Sequence, residues 1–207
     1  MSHPDYEKYA AELAASKAAT EAVQLAVELG VQFPQSTNTD NAISFPHAQA
    51  LIRRTGNVLD FAEAGLFDLV VHGANCWNTF GSGIAREIRE RYPHVADVDA
   101  KTTRGDYNKL GNWTSENVIV KNGTVTFDII NAYTQYNMST GEDVFEYTAF
   151  QIILQKLVHQ YPTKRFGFPY IGMGLAQGNK NRIMSMIEQF ARTIQLSGGS
   201  VTLVKFE

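Results

Sequence analysis

The feature that most constrains the fold is a regular alternation of apolar strand-like runs with amphipathic helices from about residue 50 onwards. Interleaving of this kind predicts an α/β domain in which helices cover both faces of a mixed sheet. An Asn122-Gly123 pair between two of the runs has the chemistry of a two-residue hairpin turn. The pattern predicts strands at 50–54, 68–74, 117–120, 125–132, 165–171 and 200–206, and helices at 84–92, 144–161 and 181–196.

The first part of the chain follows a different pattern. Alanine is dense from Ala10 to Ala26, which favours helix, and a polar linker with the sequence QSTNTDN begins at Gln35. We therefore predict an α-helical N-terminal extension and linker over residues 1–49. The single α/β domain is predicted over 50–207, a division that suits a chain of 207 residues.

Composition narrows the class of protein. A hydrophobic content of 44% with 19% charged residues is typical of a globular protein in water. Because the net charge is -3 and no lysine- or arginine-rich face is evident, a nucleic-acid partner is not expected. The lone cysteine excludes an internal disulfide, and the sequence suggests no metal site. Without a long apolar segment, neither a secretion signal nor a membrane span is expected, so the protein is predicted to be cytoplasmic.

Two glycine-rich loops carry the chemical signal. HGANCWNTFGSGIA begins at His72 and PYIGMGLAQG begins at Pro169, and each lies between a predicted strand and a predicted helix. Glycine lets a ligand approach the backbone closely, and the free N–H groups at a helix start attract anions. Since loops that follow strands line the usual ligand crevice of α/β folds, the pair predicts a diphosphate site. Ordinary tight turns are the alternative, and neither loop is a Walker or dinucleotide-binding motif.

Three stretches resemble a known family when they are taken together. GNVLDF from Gly56, VVHGANCWNTFGSGIA from Val70 and FPYIGMGLAQG from Phe168 resemble, in this order, the motifs of the macro domain, an ADP-ribose-binding module. The resemblance covers roughly residues 50–207 and implies a three-layer α/β/α sandwich with a mixed central sheet. The most similar branch is that of the yeast-type ADP-ribose-1″-phosphate phosphatases, whose hallmark is matched by His72, Asn75, Cys76, Phe80, Gly81, Gly83, Ile84 and Ala85.

The resemblance implies a set of ligand-binding residues. Asn57 and the backbone of Val58 are expected near adenine, and Asn75 is expected to bond the hydroxyls of the distal ribose. A role in a turn is the alternative for Asn57. The two loops are expected to wrap the diphosphate and the distal ribose through Phe80, Gly81, Ser82, Gly83, Ile84, Gly172, Met173, Gly174, Leu175, Ala176 and Gln177.

Three residues are candidates for catalysis. His72 titrates near neutrality, so it can act as acid, base or nucleophile toward phosphorus, although a structural hydrogen bond is the alternative. Asn75 is expected to fix the ribose. Asp143 could supply a carboxylate to the same crevice or cap the helix that follows it. Ala176 occupies the position of an aspartate in a glycosidase-like branch, which argues against that mechanism.

Aromatic side chains near the loops are further candidates. Trp77 and Phe80 lie in the first loop and are predicted to line the ligand. Tyr133 and Tyr136 could stack on the base or ribose, or could belong to the edge of the core. Cys76 is predicted to be a small packed residue, because nothing near it in sequence lowers the pKa of a thiol.

The resemblance therefore implies an enzyme that hydrolyses ADP-ribose 1″-phosphate to ADP-ribose and phosphate, without a cofactor or a metal. Two other functions remain open. The protein could release ADP-ribose from proteins or other acceptors, or it could be a non-catalytic ADP-ribose reader. The expected ligand is ADP-ribose or ADP-ribose 1″-phosphate, and a protein partner of the N-terminal helices is an open question.

Overall fold

The computed structural model describes residues 50–120, 123–138 and 141–206. The predicted helical extension over 1–49 lies outside the described residues, so the division at residue 50 stays a prediction. The elements are β1 Leu51–Thr55, α1 Val58–Glu63, β2 Leu69–Asn75, α2 Gly83–Arg91, α3 Pro93–Ala100, a 3-10 turn at Tyr107–Lys109, β3 Trp113–Val120, β4 Val125–Gln135, α4 Tyr147–Gln160, β5 Arg165–Pro169, α5 Lys180–Leu196 and β6 Ser200–Lys205.

The strands form one mixed sheet in the order β1-β6-β5-β2-β4-β3. All neighbouring pairs are parallel except β3 and β4, which form an antiparallel hairpin. Gly123 in the hairpin turn has φ +88°, the left-handed backbone that such turns require, whereas Asn122 lies outside the described residues. The antiparallel pair confirms the predicted hairpin.

Helices cover both faces of the sheet. Successive residues of a strand point to opposite faces, so Val71 packs with α4 and α5 on one side while Val70 packs with α1, α2 and α3 on the other. Both sides of β2 are buried, as expected of a central parallel strand. These two helical layers confirm the predicted three-layer sandwich. Within the described ranges, no helix is long and apolar enough to cross a membrane.

The sequence pattern missed two short helices. Helix α1 has six residues and begins where the Asn57 side chain accepts a hydrogen bond from the Leu59 N–H at 2.8 Å. Helix α3 begins at Pro93 in its first turn, where proline is tolerated, and Tyr92 alone separates it from α2. Among the predicted elements, β3 starts four residues earlier than expected, because Trp113 still pairs with Ala132 of β4.

Parallel strands bring their following loops to one edge of the sheet. The carboxyl ends of β1, β2, β4, β5 and β6 all lie at this edge, and β2 and β5 are direct neighbours. The two glycine-rich loops follow β2 and β5, so the topology brings them side by side. This edge is the usual place for a ligand crevice in α/β proteins.

Candidate functional site

The first loop is held in shape by Asn75, the last residue of β2. The Asn75 Oδ1 accepts from the Trp77 N–H at 2.9 Å, and the Asn75 amide donates to the Thr79 Oγ1 at 2.5 Å. These bonds fold residues 76–80 back over the end of the strand. Gly81, Ser82 and Gly83 then lie exposed at the start of α2.

The start of α2 is left open to an anion. Ser82 is the N-cap residue of α2, but its side chain makes no capping hydrogen bond. The first N–H groups of a helix have no intrahelical partners and carry the positive end of the helix dipole. At Gly81, a side chain would meet nothing within 4 Å, so the approach to these groups is unobstructed.

The glycines of the second loop have different roles. A Cβ at Gly172 would lie 2.3 Å from the Phe145 ring, and one at Gly178 would lie 2.7 Å from Ile183. These two glycines therefore make room for packing beneath the loop. At Gly174 a Cβ would meet nothing within 4 Å, so this glycine faces open space.

The remaining predicted residues of this loop are partly buried in the core and partly exposed. Ala176 is buried, and its carbonyl accepts from the Val144 N–H at 3.0 Å. Leu175 is 61% exposed, and Met173 is half-buried against the core. Gln177 is exposed and has φ +53°, a left-handed backbone that is unusual for a residue with a side chain.

The two loops meet across the edge of the sheet. A Cβ on Gly83 would lie 3.9 Å from the Leu175 Cδ1, so the start of α2 and the second loop are in van der Waals range. Gly81 just before α2 and Gly174 in the second loop are both exposed, and a Cβ at either would meet nothing within 4 Å. The structure thus brings together the two sets of residues that the sequence predicted as a pair.

His72 lies beneath the first loop rather than in the crevice. Its side chain is 0% exposed and its ring packs edge-on against Phe80, with 5.7 Å between the ring centroids. The His72 Nε2 lies 2.6 Å from the Asn131 Oδ1. The Asn131 amide already donates to the Thr114 Oγ1 and the Val95 carbonyl, so we assign the His72 proton to Nε2.

Burial also fixes the charge of His72. Loss of solvent lowers the pKa of the imidazole to about 4, and the hydrogen bond to Asn131 only partly opposes this shift. The ring is therefore neutral at pH 7. The full burial of this imidazole argues against the direct catalytic role that the sequence suggested and favours the structural alternative.

Asp143 is exposed in the segment that connects β4 to α4. Its Oδ1 accepts from the Phe145 N–H at 3.0 Å, and its Oδ2 accepts from the Tyr147 hydroxyl at 2.5 Å. Helix α4 begins at Tyr147, so Asp143 organises the turn before the helix without being its N-cap residue. The neighbouring bond from Val144 to Ala176 keeps this carboxylate beside the second loop.

The predicted adenine contacts lie at the end of β1. Asn57 caps α1, and its amide donates to the Glu87 Oε1 of α2 at 2.6 Å. Both ends of this carboxamide are therefore engaged within the protein, as a turn residue would be. Val58 is buried, while Ile84 at the start of α2 is half-buried against the same cluster of apolar side chains.

Comparison with known proteins agrees with this fold. No protein-family model matches the chain. An uncharacterised 17.5 kDa protein of Enterobacteria phage T4 is 26% identical over 132 residues, which are 61% of this chain and 82% of the phage protein. The macrodomain of Mycobacterium tuberculosis DarG superposes with a TM-score of 0.54 at 18% identity, covering 75% of this chain and 96% of that one. The chain has the macrodomain fold.

A second solved structure shares the macrodomain fold and contains a ligand. Thermosipho africanus DarTG in complex with ADP-ribose superposes with a TM-score of 0.52 at 11% identity. The match covers 70% of this chain and 39% of DarTG, so only part of the larger protein corresponds to it. At these identities the comparison establishes the fold, and the ligand remains a property of the other protein.

In this macrodomain fold, a buried charged group that the sequence did not reveal supports the first loop. Lys109 is 7% exposed, and its Nζ donates to the Asn78 Oδ1 at 2.7 Å and to the Cys76 carbonyl at 3.2 Å. The same Nζ lies 3.8 Å from the Asp99 Oδ1, and that oxygen accepts from the Tyr133 hydroxyl at 2.6 Å. We call Lys109, Asp99, Tyr133 and Asn78 the loop brace.

The loop brace was missed because its members are far apart in sequence. Lys109 lies 33 residues from Cys76, and the segment around it has the polar composition of an ordinary loop. Asp99, two residues after Asp97 and five after His94, lies in a stretch whose polar residues are usually solvated. Instead, Asp99 is 1% exposed and paired with Lys109, and among the described residues no group of three or more potential metal ligands occurs.

The aromatic side chains near the loops are packed together. Phe80 and Tyr133 are buried, whereas Trp77 is half-buried and packs edge-on against Tyr136 with 6.0 Å between the ring centroids. Tyr136 in turn stacks on Tyr107 at 3.7 Å. Cys76 is buried, which agrees with the prediction of a small packed residue, and burial raises the pKa of its thiol to about 11.

Proposed function

We propose that the crevice between the two glycine-rich loops binds ADP-ribose, with the diphosphate between Gly81 and Gly174. The main support for the proposal is that the two loops, which follow adjacent parallel strands, come close to each other. A Cβ on Gly83 would lie 3.9 Å from the Leu175 Cδ1. The macrodomain fold supports this ligand, because Thermosipho africanus DarTG with the same fold is described in complex with ADP-ribose.

The diphosphate fits the crevice for electrostatic reasons. The N–H groups at the start of α2 lack a side-chain cap, and an anion there gains both hydrogen bonds and the favourable end of the helix dipole. The backbone at Gly81 and Gly174 leaves room for phosphate oxygens. Such recognition uses backbone groups, so it does not require a basic protein and agrees with a net charge of -3.

The positions that we propose for the two ends of ADP-ribose are based on the order of the strands in the sheet. Three strand spacings separate β1 from β2, a distance of about 14 Å, which an extended nucleoside diphosphate sugar can span. In our proposal adenine lies at the β1 end and the distal ribose lies near Asn75. Because the Asn57 carboxamide is already engaged, we assign adenine recognition to the backbone N–H of Val58, at the first position of α1.

This function is tested by comparing ADP-ribose with AMP in titration calorimetry. AMP lacks the second phosphate and the distal ribose, so it cannot span both loops and is expected to bind at least about tenfold more weakly, a difference of about 1.4 kcal/mol. Equal affinity for the two ligands would show that the second loop takes no part in binding.

A further candidate function is hydrolysis of the 1″-phosphate of ADP-ribose 1″-phosphate. The observation that favours it is an exposed carboxylate beside the second loop, where Val144 anchors the Asp143 segment to Ala176. In this proposal Asp143 acts as general base for a water that attacks phosphorus. The bond between phosphorus and the 1″ oxygen breaks, phosphate is released, and the ribose oxygen takes up a proton as ADP-ribose leaves. Asn75 orients the ribose, and His72 supports the first loop from beneath. Release of ADP-ribose from another acceptor and simple ADP-ribose reading are the alternatives.

Asp143→Asn is expected to lower phosphate release about 10²–10⁴-fold, because an amide cannot take up a proton from water. The affinity for ADP-ribose should change far less than the rate, since the shape of the side chain is kept. Asp97→Asn is the matched control, because Asp97 is an exposed carboxylate on α3. It should leave both phosphate release and the affinity for ADP-ribose unaltered. A wild-type protein that binds ADP-ribose but releases no phosphate would exclude the phosphatase activity and leave the alternatives, such as a non-catalytic ADP-ribose reader.

A further inference from the structure

Residues 143–147, which we call the clamp, lie against the second glycine-rich loop. The Val144 N–H donates to the Ala176 carbonyl at 3.0 Å. The Phe145 ring fills the space beside Gly172, where a Cβ would come within 2.3 Å of it, and the Phe145 Cβ lies beside Gly178. The clamp therefore contacts the beginning, the middle and the end of the loop.

The Tyr147 hydroxyl completes the clamp. It donates to the Asp143 Oδ2 at 2.5 Å and accepts from the Asn179 N–H at 2.6 Å. A phenol has one proton to donate and lone pairs to accept with, so the two bonds are compatible. Asn179 is the N-cap residue of α5, and its side chain accepts from the Arg182 N–H at 3.0 Å. One oxygen atom thus links the clamp to the residue that ends the loop.

The orientation of the Tyr147 ring is itself fixed. The Arg182 guanidinium lies 4.0 Å from the ring centroid, in the geometry of a cation–π contact. On another side the Phe145 ring packs edge-on at 5.3 Å. With the ring held by two neighbours, the hydroxyl has little freedom to leave its partners.

The second loop needs contacts of this kind to keep its shape. Gln177 has φ +53°, and a residue with a Cβ disfavours this backbone unless its surroundings impose it. A Cβ at Gly174 would meet nothing within 4 Å, and Leu175 is 61% exposed. The bonds at Ala176 and Asn179 lie on either side of Gln177 and hold the strained turn in place.

We propose that Tyr147 is a positioning residue that holds the second glycine-rich loop in its ligand-binding conformation. This inference rests on the proposed ADP-ribose site. The hydroxyl acts through Asn179 and the clamp rather than by touching the ligand. Its removal should therefore reduce ligand affinity by loosening the loop, without removing a group that contacts ADP-ribose.

The test compares Tyr147→Phe with Tyr161→Phe. Both changes remove one phenolic oxygen from α4 or its boundary. In the part of the chain that the structure describes, however, the Tyr161 hydroxyl accepts from the Gln160 side chain, at the end of the helix away from the loop. The Kd of Tyr147→Phe for ADP-ribose is expected to rise about tenfold. The variant loses both the hydrogen bond to the Asp143 carboxylate and the one from the Asn179 N–H. Tyr161→Phe should bind as the wild type does.

Amide hydrogen exchange separates positioning from a general loss of stability. In Tyr147→Phe the Asn179 amide should exchange faster while the amides of β5 stay protected, and saturating ADP-ribose should restore part of the protection. If Tyr147→Phe does not fold, Asp143→Ala, which removes one of the two partners of the same hydroxyl, is measured in the same way and should shift Kd in the same direction.

Two results would overturn the proposal. One is an unchanged Kd in a folded Tyr147→Phe whose Asn179 amide exchanges faster, because the loop would then not need the clamp for binding. The other is unchanged exchange at Asn179. A wild-type protein that fails to bind ADP-ribose would instead refute the proposed function, and this outcome is recognised before any variant is compared.

Discussion

Gly174→Val is expected to weaken ADP-ribose binding by at least about a hundredfold, or about 2.7 kcal/mol, while the fold stays intact. A Cβ at Gly174 would meet no atom within 4 Å, and its φ lies outside the left-handed region. The protein itself therefore tolerates a side chain at this position. The branched side chain would instead fill the open space in which our proposal locates the diphosphate.

The choice of glycine makes this test specific. Gly83→Val would strain a backbone with φ +53°, and Gly172→Val would collide with Phe145, so loss of binding in either variant would have two explanations. Gly174→Ala serves as the graded control and should weaken binding less than valine does, because a methyl group fills less of the space. Calorimetry with ADP-ribose and a thermal melt check both parts of the expectation. A folded Gly174→Val with wild-type affinity would contradict the proposed path of the diphosphate.

Much of the fold was predictable because its strands and long helices leave periodic patterns. Ile183, Ile187 and Phe190 of α5, for example, recur at helical spacing in the sequence and are buried in the structure. Short elements leave weaker patterns. The six residues of α1 make fewer than two turns, and α3 begins at a proline that also suits the end of the preceding helix. A local pattern cannot decide between these uses of a proline.

The pairing of the two loops was also predictable, because parallel strands bring their carboxyl ends to one edge. Which atoms face the crevice was not. Both faces of β2 are buried, so the alternation of its residues does not show whether His72 points to the crevice or beneath it. Gly172 and Gly178 look like ligand-binding glycines in sequence, but their neighbours Phe145 and Ile183 are identified only by the tertiary structure.

The polar groups that support the loops come from distant segments. Tyr147 lies 32 residues from Asn179, and Lys109 lies 31 residues from Asn78. Neither pair has a spacing typical of a helix or strand, so a single sequence contains no signal for it. The two glycine-rich loops could therefore be found in the sequence, whereas the side-chain hydrogen bonds that support them could not.

Lys109→Met should therefore have a large effect, and it is expected to destabilise the protein by about 3–5 kcal/mol. The change keeps the length and apolar stem of the side chain but removes the cation, which leaves the buried Asp99 without its charged partner. It also removes the donor to the Asn78 Oδ1 in a turn where Asn78 has φ +57°. Urea unfolding at pH 7 measures the loss of stability.

A matched double variant and a change of pH identify the cause. Lys109→Met with Asp99→Asn should recover part of the stability, because no unpaired charge is then buried. Burial already raises the pKa of Asp99 in the wild type, and loss of Lys109 should raise it further. A carboxyl whose pKa is higher in the folded than in the unfolded state binds more protons when folded, so stability increases as the pH falls. Lys109→Met should thus lose less stability at pH 5 than at pH 7, and an equal loss at both values would show that the buried charge of Asp99 is not the cause.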